Sequence, residues 1–167
     1  SRTNLYSLSG KKIAATGLAR DVFKGLGAEV TGVDQNRAGY AIAHGEIDAI
    51  EVSHIIEALQ LGIAETEIFS IMPGPTQSGS TLSISMKRGK WDALSTDSQA
   101  LMADAAATYQ RRASTELRTN DRILRQVLAA ARPVKFVPLN SALAIEVAHV
   151  SEAIVADIAS RDAAAQR

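Results

Sequence analysis

Three short polar clusters in the first third of this sequence have residue types suited to holding a small polar molecule. They are Thr16-Gly17 with Arg20 close behind, Gln35-Asn36-Arg37 after Asp34, and Glu51-Val52 with His54. Each follows an apolar stretch that reads as a strand, and open α/β sheets bind ligands at the carboxyl ends of their strands. Gly17 and the helix behind it could offer backbone N–H groups to an anion. Arg20 and Arg37 are the cations available at that edge, each otherwise a solvated surface residue. Glu51 stands at the end of the third strand and His54 just beyond it, both candidates for a ligand contact.

Residues for catalysis are missing or scattered. Cysteine is absent, which excludes thiol chemistry, disulfides and Cys-ligated metal. His44, His54 and His149 have neither HExxH nor another paired spacing, so they make no zinc site. His44 precedes Gly45 and reads as a cation at the negative end of a helix. No nucleophile elbow, Walker loop or GxGxxG occurs. The run Gly74-Pro75-Thr76-Gln77-Ser78-Gly79-Ser80 has the small residues of a phosphate loop but lacks its Lys. It reads as a crossover or hinge. Neither an enzyme nor a cofactor is expected.

Eighteen basic residues cancel eighteen acidic ones, so no global field attracts nucleic acid or an anionic membrane. Aromatics at 4% give no stacking platform for bases. The Arg-rich stretch from Arg111 to Arg125 is interleaved with Glu116 and Asp121 and reads as a solvated helix face. No apolar run approaches a membrane span. Ser1 to Leu5 lacks the apolar core of a signal peptide, so the protein is either cytoplasmic or preceded by a further segment.

The elements that would position the clusters alternate. Lys12–Ala15, Glu29–Val33 and Ile47–Glu51 are predicted strands. Leu18–Leu26 and a segment from Asp34–Asn36 to His44 are predicted helices, stopped by Gly27 and Gly45. This alternation implies a parallel sheet with crossover helices. Ser53 can cap a helix through Leu61, and Glu67–Met72 is a further strand. Ser80–Met86 alternates as a half-buried strand. Ser95-Thr96-Asp97 caps a long helix toward Ala131, with a break expected near Thr119-Asn120. Pro133 ends it, Val134–Val137 is a strand, and Asn140 or Ser141 caps a last helix.

Three stretches together carry a family resemblance. Leu8-Ser9-Gly10-Lys11-Lys12-Ile13 with Leu26-Gly27-Ala28-Glu29-Val30 is the first. Ala41-Ile42-Ala43-His44-Gly45-Glu46-Ile47-Asp48-Ala49-Ile50-Glu51 is the second. Lys90-Trp91-Asp92-Ala93-Leu94 through Gln99, then Ala105 to Arg111, is the third. In order and spacing they resemble the solute-binding receptors of TRAP (tripartite ATP-independent periplasmic) transporters. Each also has a mechanical reading: Gly45 reverses the chain, Asp48 can anchor the next turn, and Trp91 with Leu94 can staple the long helix.

The resemblance implies a periplasmic-binding-protein-like fold. Residues 1–75 would form the second lobe of a bilobal receptor. Residues 76–95 would make a crossover and strand toward the first lobe, and residues 96–167 a long helix, short strand and C-terminal helix. It implies a periplasmic receptor that closes on a small solute, an organic acid by class, and delivers it to membrane permease subunits, with no catalysis and no nucleic acid. An α/β ligand-sensing or interaction module without transport is the alternative. The chain departs from the family at its cleft: the carboxylate-clamping Arg falls on Ala14, the following Pro on Thr16, an Asn on Val52 and an aromatic on Gln35. With few residues before the first motif, the chain is expected to pack on a copy of itself or on a separate first lobe, through the edge of Ser80–Met86.

Overall fold

Ile13 and Ala14, adjacent in one strand, divide the first sheet into its two faces. The structure is a computed structural model, and it describes residues 7–72, 74, 76, 83–131 and 134–161. Strands β1 (Lys12–Ala14), β2 (Glu29–Thr31) and β3 (Ala49–Ile50) form a parallel sheet in the order β2-β1-β3. Helix α1 (Gly17–Gly25) joins β1 to β2. Helix α2 (Ala38–Ala43), entered through a 3-10 turn at Gln35–Arg37, joins β2 to β3.

Successive side chains of a strand point to opposite faces. Ile13 and Ala15 accordingly pack with Val22 and Phe23 of α1 and with Leu143 and Val147 of the last helix, α6 (Ser141–Arg161). Ala14 packs on the other face with Ala41 and Ile47. One crossover helix therefore covers each face, as crossovers of the same hand to either side of β1 require. The three strands and α2 fall where the sequence places them, shortened at their ends, and α1 lies one residue earlier than expected. Gly45 stops α2 at φ +69°, a conformation open chiefly to glycine.

Asp48 fixes the start of this sheet. Its carboxylate accepts the Lys12 N–H at 2.8 Å, and its own N–H donates to the Lys12 carbonyl at 2.8 Å. Contrary to expectation, Asp48 thus ties the entry of β3 to the entry of β1, and not the turn that follows it.

A second, two-stranded parallel sheet pairs β4 (Ile68–Ile71) with β5 (Val134–Val137), in register from Ile68↔Val134 to Ile71↔Val137. Parallel strands need a long crossover. Here it contains α4 (Arg88–Asp92) and the 36-residue α5 (Thr96–Ala131). Under this sheet Ile55 of α3 (Ile55–Gln60), Ala64, Leu128 and Val134 form a core with Leu124 and Phe136. The family motif Trp91…Gln99 proves mechanical. The Gln99 amide donates to the Trp91 carbonyl at 2.8 Å, and Ser95 Oγ accepts the Ser98 N–H at 3.2 Å, joining α4 to α5. Asn140 caps α6 as expected, its Oδ1 accepting the N–H groups of Ala142 and Leu143.

Three further expectations need correction. Helix α5 runs unbroken through Thr119-Asn120. The weak helix propensity there costs under about 1 kcal/mol, and Leu124 and Leu128 beyond it keep the helix packed. Ser53 does not cap α3; His54 holds the N-cap position. Ser83–Met86 is not a strand, and Ile84 is 67% exposed. Alternation makes a strand only where a sheet edge accepts it, and among the described residues none does. Residues 80–82 lie outside the described residues, as do 73, 75, 77–79 and 133. Among the described residues, no helix is long and apolar enough to cross a membrane.

Candidate functional site

The carboxyl ends of β1 and β3 lie side by side. The two strands pair Ile13↔Ala49 and Ala14↔Ile50, and the Glu51 N–H then donates to the Ala14 carbonyl at 2.9 Å. Thr16-Gly17 and Glu51-Val52 therefore leave adjacent strands, separated by the usual spacing of about 5 Å. Because β2 flanks β1 on the other side, the chain diverges here, which makes this edge a topological switch point.

Thr16 is the exposed N-cap residue of α1, and its side chain makes no capping hydrogen bond. Gly17 follows at φ +58°, with open space where a Cβ would stand. Among the described residues the first-turn N–H groups of α1 are thus left without a side-chain acceptor, as an anion requires.

Glu51 is half-buried and accepts a hydrogen bond from the Thr76 hydroxyl. Burial raises its carboxyl pKa above the ordinary 4.5. The Thr76 hydrogen bond opposes the rise and the nearby Glu57 charge adds to it. Glu57 itself accepts the Ser53 N–H at 2.7 Å. Val52 is half-buried beside Glu51.

The third cluster stands at the end of β2. Gln35 opens the 3-10 turn, and exposed Asn36 has its N–H on Asp34 Oδ1 at 2.9 Å. Neither candidate cation is free. Arg37 makes two hydrogen bonds to Glu46, at 3.0 and 3.2 Å, and Arg20 meets Asp21 at 3.1 Å. All four side chains are exposed, so these pairs are weak and can be exchanged for a ligand.

His54 belongs elsewhere. Its Nδ1 lies 3.2 Å from Asp121 Oδ2, and Asp121 Oδ1 accepts the Ile55 N–H at 3.2 Å. His54 thus sits at the junction of α3 and α5. His44 matches its helix-end reading, with Nδ1 2.9 Å from the Tyr40 carbonyl. Asp121 and Thr76 were not legible as contact residues. Asp121 lies among arginines in a stretch that reads as solvated, and only tertiary packing turns it toward α3.

Ala14, where the family Arg would fall, is 5% exposed and faces Ala41 and Ile47. It offers no cation to the cleft. Among the described residues, no three His, Asp or Glu gather to hold a metal ion. A hollow of about 690 Å³ runs along α5, lined by Thr108, Tyr109, Arg112 and Glu116 among others, and not at the strand ends. Among the described residues its lining belongs to one helix, whereas a solute site converges polar groups from several elements. The strand ends meet that condition.

Residues 7–162 match the family model for bacterial extracellular solute-binding protein, family 7. Among solved structures, a TRAP transporter solute-binding protein from Bordetella bronchiseptica, with copurified calcium and picolinate, is similar at 19% identity. The match covers 99% of this chain and 50% of that one, with a TM-score of 0.79. A Bordetella pertussis extracytoplasmic solute receptor binding pyroglutamic acid is 17% identical, over 99% of this chain and 56% of that one, with a TM-score of 0.70. A TRAP periplasmic solute-binding protein from Pseudoalteromonas atlantica with sodium and pyruvate is 17% identical, over 99% and 51%, also at 0.70. The chain spans about half the length of these structures, and at such identities they show the fold. No curated protein matches.

Proposed function

This chain belongs to bacterial extracellular solute-binding protein family 7, and from that premise we propose that it is one lobe of a TRAP-type receptor. In this reading a small organic acid binds at the carboxyl ends of β1 and β3, in a cleft completed by a first lobe. The observation that carries it is the pair of uncapped α1 N-terminus and half-buried Glu51, leaving adjacent parallel strands at the switch point. The similar structures hold picolinate, pyroglutamate and pyruvate, which supports an organic acid as the solute class.

The Thr16 hydroxyl and the α1 N–H groups at Gly17 would receive the carboxylate. Glu51 and Asn36 would meet polar groups of the solute, with Val52 and Gln35 at its sides. Arg37 or Arg20 would supply charge by exchanging Glu46 or Asp21 for the ligand. His54 would act at a distance, by fixing the start of α3. The receptor would work in the periplasm, deliver its solute to membrane permease subunits and catalyse nothing. Without a fixed cation at position 14, a lone carboxylate would bind weakly.

Calorimetric titration of the chain with picolinate, pyruvate and pyroglutamate tests this reading. Binding of at least one, weakened in Glu51→Ala, is expected. Failure of all three to bind, with the first lobe also supplied, would refute it.

A further inference from the structure

Glu51 stands at the strand ends without a cation. Its half-buried carboxylate accepts the Thr76 hydroxyl, and among the described residues no lysine, arginine or histidine pairs with it. The side-chain charge that bears on it is a like one, the Glu57 carboxylate. Burial first, and then that charge, disfavour its ionised form. A carboxylate kept half-buried and unpaired is a cost to the fold, and such groups gather at functional sites.

The cations nearby are committed to other carboxylates, Arg20 to Asp21 and Arg37 to Glu46. Position 14 holds an alanine turned toward Ala41 and Ile47. The strand ends of this lobe therefore present one unpaired carboxylate, on β3, beside the uncapped N–H groups that open α1 after β1. One site accepts a positive group and its neighbour a negative one, about one strand spacing of 5 Å apart. Resting on the strand-end site proposed above, we infer that the solute is a small zwitterion such as an α-amino acid, its ammonium on Glu51 and its carboxylate at the α1 N–H groups.

The alternatives for the group facing Glu51 do less. A carbonyl offers an ionised carboxylate no donor. A hydroxyl donates one hydrogen bond and leaves the charges of Glu51 and Glu57 uncompensated. An ammonium donates and also offsets both charges. A solute with only a carboxylate would bring a third negative charge beside these two. Whatever the first lobe adds to the cleft, Glu51 itself selects the group that lies over it.

Pyruvate, lactate and alanine test this, since they differ only at the second carbon, which bears a carbonyl, a hydroxyl or an ammonium. Each is titrated at neutral pH into the nitrogen-15-labelled 167-residue chain, following the amides of Gly17, Glu51 and Val52. Alanine is expected to bind roughly tenfold tighter than either of the others. Glu51→Gln keeps the size of the side chain and an acceptor for Thr76 but removes the charge, and should erase that preference. Pyruvate or lactate binding as tightly as alanine at these amides would overturn the inference and leave the site standing. So would a preference for alanine that survives in Glu51→Gln. No shift at these amides with any of the three would overturn the site and the inference together.

Discussion

The Asp121 carboxylate, in the C-terminal third of α5, sits 3.2 Å from His54 Nδ1 and caps the N-terminus of α3 through the Ile55 N–H. A side chain from the second sheet's crossover thus does what a local N-cap residue would do. His54 and Asp121 are both largely buried, with 24% and 23% of their side chains exposed, so the contact is poorly screened. It fixes the segment that follows Glu51.

Asp121→Ala should therefore cost about 1–2 kcal/mol, the worth of a lost cap. For a chain of this length that lowers the melting temperature by about 3–6 °C. His54→Ala spares the bond to the Ile55 N–H and should cost less. Thermal denaturation of both variants checks the order; equal losses would show that the N–H bond carries little.

Glu51 gives the protein a pH dependence whose sign follows from its raised pKa. As pH rises past 4.5 the unfolded carboxyl loses its proton first, and the folded state pays to ionise the buried group. Stability is lost as pH climbs through the folded value. Glu51→Gln removes this loss and keeps an acceptor for Thr76. Its melting temperature should match wild type below pH 4.5 and exceed it at neutral pH. A gap independent of pH, or one in favour of wild type at neutral pH, would contradict the assignment.

Much of this was legible in the sequence, and the exceptions share a cause. The β2-β1-β3 sheet follows from short apolar runs punctuated by Gly27 and Gly45, local signals that tertiary contacts do not reverse. The strand-end clusters follow because the ends of parallel strands are fixed once the strands are. Asp121, Thr76 and the failure of Ser83–Met86 to form a strand were not legible. Each depends on what lies across from it in space, a partner helix, a carboxylate or an absent sheet edge, and no local pattern encodes that. Ala14 is the clearest case. Its alignment with the family Arg suggests a cleft position, while strand alternation turns it to the α2 face.

Ala14→Arg consequently should not restore a carboxylate clamp. It would drive a guanidinium among Ala41, Ile47 and their neighbours, at a cost of about 2–5 kcal/mol. Urea denaturation should show that loss. Unchanged stability together with tighter binding of pyruvate would mean that the side chain reaches the cleft.

The central claim, that solute meets this chain at the ends of β1 and β3, is tested most directly by amide chemical-shift mapping. Pyruvate titrated into the nitrogen-15-labelled chain should shift the amides of Gly17, Leu18, Asn36, Glu51 and Val52, and leave those of Thr108 to Glu116 on α5 unmoved. Shifts confined to α5, or none at millimolar pyruvate with the first lobe present, would contradict it.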